Sequence, residues 1–428
     1  MTSFSHPIET RLNALAVPIA LGLPSGEWLG PRDAAIRLRL CDRRDLAALG
    51  AGRIGALGEA VVEGRACLEG AMRDLMRAVT ALLPASDASA AQSWWARGLA
   101  RIASAQRHSR ARDAAQIAFH YDVSDDFYAL WLDPRRVYSC AYYPMAETSL
   151  AEAQDAKLDL ICRKLMLRPG ERFLDIGAGW GGLLLWAAEH YGVKARGITL
   201  SRNQYAYVNR LIEEKGLAGR VRMDLLDYRD LDPRRPFDKI ASVGMFEHVG
   251  HANMPLYFST IRQLLRPGGM VLNHGITAGG IDGAAVGGGL GDFIERYIFP
   301  GGELLHVSEV LRQSSMAGLE AVDVESLRPH YARTLWAWSD MLESRLPEAE
   351  RILTASAGPE QAQKILRAYR LYLAGCATAF EQGWISLHQM LATRPTGDIG
   401  GTTMPGSQSD YPFRRDHIYS LEEAAGAR

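Results

Sequence analysis

The chain has 428 residues, 47% of them hydrophobic, and a formal net charge of −1. That length allows two or three domains and a sizeable core, and the near-neutral balance excludes a strongly electrostatic nucleic-acid binder as the default. Cys41, Cys67, Cys140, Cys162 and Cys376 form neither a C-x-x-C pair nor a zinc spacing, so free thiols and no metal site are expected.

Apolar runs fall far short of a membrane span, and no charged-then-apolar leader opens the sequence. The expectation is a cytoplasmic protein, at most peripheral to the inner face of a membrane. Residues 1–112 read as a small α+β accessory domain with its linker. They hold 15 arginines, no lysine and 10 acids, a local charge of +5 against −6 for the rest. Ile36-Arg-Leu-Arg-Leu-Cys41 alternates apolar and polar side chains, as a half-buried strand does. A helix containing Ala60-Val61-Val62 follows, and apolar spacing predicts another from Leu68 to Leu83. Pro84 to Ala91 has the composition of a linker. Trp94-Trp95 then stands before an arginine-rich stretch that runs to Arg112. Two readings of it stand: an interfacial helix meeting anionic headgroups, or a surface helix whose tryptophans pack on the main domain.

Residues 113–394 alternate strand and helix patterns, which implies a parallel or mixed sheet covered on both faces. The strands fall at Arg172–Ile176, Ala195–Thr199, Val221–Leu225, Lys239–Val243 and Gly269–Ile276. Residues 278–291 are too glycine-rich for a packed element and read as a mobile loop near a site. From Val307 to Leu391 helices are expected to dominate. The tail, 395–428, is polar and Gly/Pro-rich at first and is expected to be poorly ordered.

Phe173-Leu-Asp-Ile-Gly-Ala-Gly-Trp-Gly-Gly182 reads as a buried strand, a glycine turn and the start of a helix over Leu183–His190. The spacing is G-x-G-x-G, with Asp175 two positions before the first glycine. Gly177, Gly179 and Gly181 let a nucleotide-like ligand approach the backbone, and the form suits S-adenosylmethionine, which has no pyrophosphate to cradle. Ligands of open α/β sheets bind beyond the carboxyl ends of the strands. Thr199 and Gln204 could therefore bond the ribose, while Ser201-x-x-Gln204 also reads as a capping box. Leu226-Asp227 follows the third strand. Asp227 could accept from an adenine amino group or serve as an ordinary turn residue.

His120-Tyr-Asp-Val-Ser-Asp-Asp-Phe127, Tyr138-Ser-Cys-Ala-Tyr142, the glycine turn, Thr199-Leu-Ser-x-x-Gln204, Phe246-Glu-His-Val-Gly-His251 and Tyr372-Leu-Ala-Gly-Cys376 stand in one order. Over residues 115–390 that series resembles the cyclopropane-fatty-acyl-phospholipid synthase family, which includes the mycolic acid cyclopropane synthases. Residues 36–83, with Gly55-Ala-Leu-Gly-Glu-Ala-Val-Val-Glu-Gly64, resemble the small N-terminal domain of the phospholipid-acting members. The resemblance implies a class I methyltransferase fold: α/β, doubly wound, with a mostly parallel sheet and a helical insertion. It also implies a reaction, in which a methyl group passes from S-adenosylmethionine to a cis double bond of an acyl chain, a proton is lost and a ring closes.

That chemistry sets physical demands. An alkene is a weak nucleophile and must be aligned with the methyl donor. The cationic intermediate needs a dry, aromatic pocket. Tyr142, Tyr143, Phe246, Tyr331, Trp336 and Trp338 are candidates for its wall, with core packing the alternative for each. The resemblance further implies a bound bicarbonate as the base, held by the side chains of Glu247, His274 and Tyr331 and by the backbone of Cys140 and Ile276. Glu247 would accept from its O–H, and His274 and Tyr331 would donate to its oxygens. Cys376 matches a family cysteine suspected of catalysis, but on a helix among Tyr372 and Phe380 it reads as a small apolar residue. Tyr138 and Ser139 match residues at the amino-acid end of the cofactor, and His120-Tyr121-Asp122 opens the segment that covers it.

The expected partners are an unsaturated phospholipid, a membrane surface and a second copy of the chain as a homodimer, with no nucleic acid. Three readings compete with ring closure: a fatty-acyl C-methyltransferase giving methyl-branched or methylene chains, a non-catalytic lipid-binding protein, and methylation of a small amine or hydroxyl, which needs neither the Tyr138-Ser-Cys140 signature nor the long helical insertion after residue 277.

Overall fold

The computed structural model describes residues 10, 12–13, 15–50, 53–82, 124–280, 290–298, 302–396 and 415–419. The linker at Pro84–Ala91, the Trp94–Trp95 stretch to Arg112, the segment His120–Asp122, residues 281–289 of the glycine-rich loop and most of the tail lie outside them. The described residues fall into two compact units. The first draws on Met1–Ala91, Ala284–Pro300 and Leu335–Trp384, the second on Gln92–Gly283, Gly301–Thr334 and Ile385–Arg428.

In the first unit a four-stranded sheet runs in the order β2 (Trp28–Leu29), β1 (Ile19–Gly22), β3 (Ile36–Leu40) and β4 (Ala66–Glu69). The alternation read in Ile36–Leu40 is real: Ile36 and Leu40 are buried while Arg37 and Arg39 are exposed. The helix expected from Leu68 begins only at Met72 and ends at Leu82. Leu68 and Glu69 belong instead to β4, paired with Leu38 and Arg37. Cross-strand pairing with β3 outweighs the helical spacing there. The later helices of this unit are tied to the earlier ones by polar contacts. The Glu63 carboxylate accepts from Tyr297 Oη at 2.8 Å and from Lys364 Nζ at 2.9 Å. Trp336 Nε1 donates to Glu381 at 2.8 Å, and the Arg73 guanidinium lies 4.3 Å above the Trp336 ring.

The second unit is built on a seven-stranded sheet. Its strands are β5 (Arg172–Ile176), β6 (Lys194–Thr199), β7 (Val221–Leu225), β8 (Phe237–Val243), β9 (Leu265–Ala278), β10 (Glu320–Ser326) and β11 (Ile385–Thr393). Their spatial order is β10-β11-β9-β8-β5-β6-β7. The pairs β5/β6, β5/β8, β6/β7 and β8/β9 are parallel, and β11 runs antiparallel to both β9 and β10. This is the expected α/β, doubly wound and mostly parallel arrangement. Phe173, Leu174, Ile240 and Leu272 are fully buried, as strands covered on both faces must be.

The stretch Val307–Leu391 differs from expectation, because β10 and β11 interrupt its helices. Both strands bury polar side chains, Asp323 on one and Gln389 on the other, so neither shows a clean apolar alternation. β10 also anchors the helix Leu150–Lys164: buried Lys164 pairs with Glu325 and Asp323, and Arg415 of the described C-terminal turn pairs with Asp323.

Candidate functional site

Strand order reverses between β5 and β8, and the loops leaving there part to open a crevice. A cleft lies at these carboxyl ends. Gly177 and Gly179 line it from the turn after β5, Thr199 and Gln204 from the end of β6, and Leu226 to Arg229 from the end of β7. Gly244, Met245, His248 and Asn253 complete it beyond β8.

Gly179 and Gly181 do different work. Gly179 has φ +56° and open space where a Cβ would stand, so the bare backbone faces the cleft. Gly181 has φ +83°, and a Cβ there would sit 3.0 Å from both methyl groups of Val208. It caps the helix Gly182–Tyr191, serves its packing and is not among the residues lining the cleft.

At the end of β6 the Thr199 hydroxyl donates to Gln204 Oε1 at 2.7 Å and accepts the Ser201 N–H at 3.1 Å. Ser201 Oγ accepts the Gln204 N–H at 3.3 Å. Half of the expected capping box therefore forms, and the Gln204 carboxamide turns to Thr199 instead of closing the other half. Its amide nitrogen is left to donate. Asp227 caps the next turn by accepting the Arg229 N–H at 2.9 Å, and it also takes the Arg229 guanidinium in a fork of 2.8 and 2.6 Å. Both readings of Asp227 are compatible with this geometry, since it is a turn residue that also lines the cleft.

Glu247 lies in a short 3₁₀ turn after β8, and its Oε1 accepts the Ile276 N–H at 2.6 Å. Burial pushes its carboxyl up to about 7. Oε2 is buried without a hydrogen-bond partner. His274 lies two residues before Ile276 on β9 and is fully buried. Its Nδ1 is 3.2 Å from Gln389 Nε2 on β11. With the Gln389 amide donating to Nδ1, the ring hydrogen sits on Nε2, which has no partner. Burial holds the imidazole well below its ordinary range, so it is neutral. Gly275 faces the other way, and a Cβ there would collide with the Phe246 ring at 2.2 Å. Phe246 is 2% exposed and belongs to the sheet's apolar core.

Glu247 and His274 are thus brought to one strand end, but no hydrogen bond joins them. Tyr331 approaches from the first turn of the helix Arg328–Ser344: its N–H donates to Leu327 O, and the Leu327 N–H donates to Leu387 O, the register partner of Ile276. The Cys140 thiol is buried and held well above its ordinary range, so it is protonated. Tyr138 packs its ring 5.3 Å from Trp131 and 5.5 Å from Tyr128. Tyr142 stacks on His330 at 4.8 Å, and the Tyr143 N–H donates to His330 Nδ1 at 3.0 Å. Asp175 is buried at 2% exposure beneath the glycine turn, and burial pushes its carboxyl up to about 7.

Cys376, Trp336 and Trp338 belong to the first unit. Burial lifts the Cys376 thiol to about 12, so it is not a nucleophile at neutral pH. Sequence reasoning missed Arg229, Asn253, Gln389 and two polar residues of the helix Leu150–Lys164, Gln154 and Lys157. A signal for the last two was available: they occupy positions where the helix's buried stripe otherwise carries Ala153, Leu158 and Ile161.

Residues 108–390 match the sequence profile described as mycolic acid cyclopropane synthetase. A protein of Pseudomonas putida named "Probable fatty acid methyltransferase" is 43% identical over 414 residues, 96% of this chain and 99% of that one. Cyclopropane mycolic acid synthase 1 of Mycobacterium tuberculosis is 38% identical over 283 residues, 64% of this chain and 95% of its own. A crystal structure of a mycolic acid cyclopropane synthase complexed with SAH and CTAB superposes with a TM-score of 0.59 at 36% identity, covering 65% of this chain and 97% of that one. The glycine turn, the cleft at the sheet's switch point and these likenesses agree, and the chain belongs to the mycolic acid cyclopropane synthetase family of S-adenosylmethionine-dependent methyltransferases.

Proposed function

We propose that the protein converts a cis double bond in an acyl chain of an unsaturated phospholipid into a cyclopropane, with S-adenosylmethionine as methyl donor and bicarbonate as base. The carrying observation is the pair of orphaned buried atoms, Glu247 Oε2 and His274 Nε2, at the strand end that also holds the Ile276 N–H.

The cleft fits the cofactor. Ile198 and Leu226 offer apolar surface to a base, Gly179 lets the ligand meet bare backbone, and Gln204 and Asp227 supply polar groups at two strand ends. When bound, S-adenosylmethionine supplies an electron-poor methyl group. The residues around it exclude water and hold the acceptor in line.

The second site fits a small anion with one O–H. Glu247 Oε2 would accept that hydrogen, while His274 Nε2–H and the Tyr331 hydroxyl would donate to its oxygens. Neutral His274 makes the donation without adding a second charge. Ile276 N–H, spent on Glu247 Oε1 here, becomes a further donor if the carboxylate turns. Tyr138 and Ser139 are assigned to the amino-acid end of the cofactor, and Cys140 to the anion through its backbone. The first unit and a peripheral contact with the membrane would bring the lipid, and a homodimer is the expected assembly. Among the described residues no helix is long and apolar enough to cross a membrane.

A second reading is favoured by one specific likeness. The relative that covers nearly this whole chain carries the name of a fatty acid methyltransferase. In that reading the same cation loses a different proton, and a methyl-branched or methylene chain results.

The test is incubation of purified protein with unsaturated phospholipid, methyl-labelled S-adenosylmethionine and bicarbonate, followed by NMR of the lipid. Ring closure adds the label as a ring methylene and consumes the alkene. Branching adds the label and keeps an unsaturation. No label in lipid overturns both.

A further inference from the structure

The helix Leu150–Lys164 buries Gln154 and Lys157, about one turn apart, on its packed face. Gln154 Nε2 donates to the carbonyl oxygens of Val137 at 3.2 Å and Ser139 at 2.9 Å. Lys157 Nζ donates to Ser139 Oγ at 2.9 Å. Asp133 holds the other end of the segment, accepting the Val137 N–H at 2.8 Å. Residues 137–139 belong to no strand or helix, so side chains do the work that a sheet would otherwise do.

Lys157 is 1% exposed. An ammonium so buried is costly unless its charge is matched. The groups facing it come from four elements: Asp133 in the turn, Cys140 next to Ser139, Asp175 on β5 and His274 on β9. Lys164, on the same helix, is a second cation acting on His274. Burial pulls Lys157 down to about 8, with the Asp133 and Asp175 carboxyls opposing that fall. The same ammonium works against the rise of Asp175 and against any charging of His274.

Resting on the cofactor and anion reading above, we propose that Lys157 is a positioning residue of the site, fixing the Tyr138–Cys140 segment through Ser139 while Gln154 holds the same segment by its carbonyl oxygens. It does not line the cleft. Ser139 carries its effect to the cofactor's amino-acid end. A residue that merely filled space there would be replaceable by Met, which has similar length and no charge.

The test compares wild type, Lys157→Met, Lys157→Arg and Ser139→Ala by calorimetry with S-adenosylhomocysteine. Lys157→Met is expected to weaken binding by about tenfold or more, the loss of one charge-assisted hydrogen bond. Lys157→Arg, which keeps a charged donor for Ser139, should recover most of that affinity. Ser139→Ala, which removes the acceptor, should weaken binding to a similar extent as Lys157→Met. If Lys157→Met does not fold, the Ser139→Ala and Lys157→Arg results decide: unchanged affinity in the first, or an affinity in the second no better than that of Ser139→Ala, overturns the proposal. Wild type that binds and Lys157→Met that matches it in affinity overturns this inference alone. Wild type that binds no S-adenosylhomocysteine overturns the parent reading and this inference with it.

Discussion

The Glu247 carboxylate grips the Ile276 N–H at 2.6 Å, at the end of the strand that carries His274 two residues earlier. A buried acid from the loop after β8 is thereby tied to the neighbouring strand that carries the other part of the proposed anion site. Its carboxyl is raised to about 7 by burial, so its charge changes within the working range of pH.

Glu247→Gln should lower turnover by about tenfold or more with little change in cofactor affinity, because a neutral amide oxygen is a weaker acceptor. Wild-type activity should rise with pH through about 7, as Glu247 ionises, and that limb should fade in the variant. Stability carries the opposite sign. The folded carboxyl titrates higher than the unfolded one, so its contribution is complete at low pH and is lost as pH rises through about 7. Melting temperature measured against pH should therefore fall less steeply in Glu247→Gln. Equal turnover and equal slopes in the two proteins would remove Glu247 from the site.

His274 depends on Gln389 for its tautomer. His274→Ala should cost about tenfold in turnover, and Gln389→Leu a similar amount, since Nδ1 then loses its donor and the ring hydrogen is free to move. Gln389→Leu also leaves a buried acceptor unpaired, a cost of about 1–3 kcal/mol by denaturant titration. A Gln389→Leu protein as active as wild type would mean that the ring's hydrogen placement is irrelevant to turnover.

The glycine turn allows a clean separation of binding from packing. Gly179→Ala forces a side chain into a left-handed backbone at a cost of about 1–2 kcal/mol and puts a methyl group into the cleft. Its main loss should be in calorimetric affinity for S-adenosylhomocysteine. Gly181→Ala adds a contact 3.0 Å from Val208 to the same strain. Its main loss should be stability, about 2–4 kcal/mol, with affinity per folded molecule retained. The reverse pattern would show that the cofactor lies elsewhere.

Cys376→Ala should keep turnover within about threefold of wild type, because a thiol raised to about 12 supplies almost no thiolate at neutral pH. Thiol-directed reagents should react with it slowly in the folded protein, read by mass spectrometry over time. Loss of all activity in Cys376→Ala, with an intact fold, would restore a chemical role.

Much of the sheet was legible before any coordinates. β5, β6 and β8 are mostly buried and end at glycine or polar residues, β7 buries only Val221 and Met223 fully, and the limits of all four fall within two residues of the spans expected from the sequence. β10 and β11 were not legible, since Asp323, His388 and Gln389 break their alternation and only the partners of those side chains explain them. The same holds at the site. Glu247, His274 and the glycines could be picked out from their places after strands, whereas Lys157 and Gln154 look from the sequence like errors in a helix's apolar face.

The order of residues alone determined the parallel strands, the glycine turn and which strand ends would carry chemistry, because those features rest on local spacing and on backbone freedom. The tertiary structure decided the rest: that Glu247 takes the Ile276 N–H, that Gln389 orients His274, that Gly181 packs on Val208, and that a buried lysine holds Ser139. Each of those is a contact between segments far apart in the chain, and burial, which raises Glu247 and Asp175 and keeps His274 neutral, exists only once the segments have met.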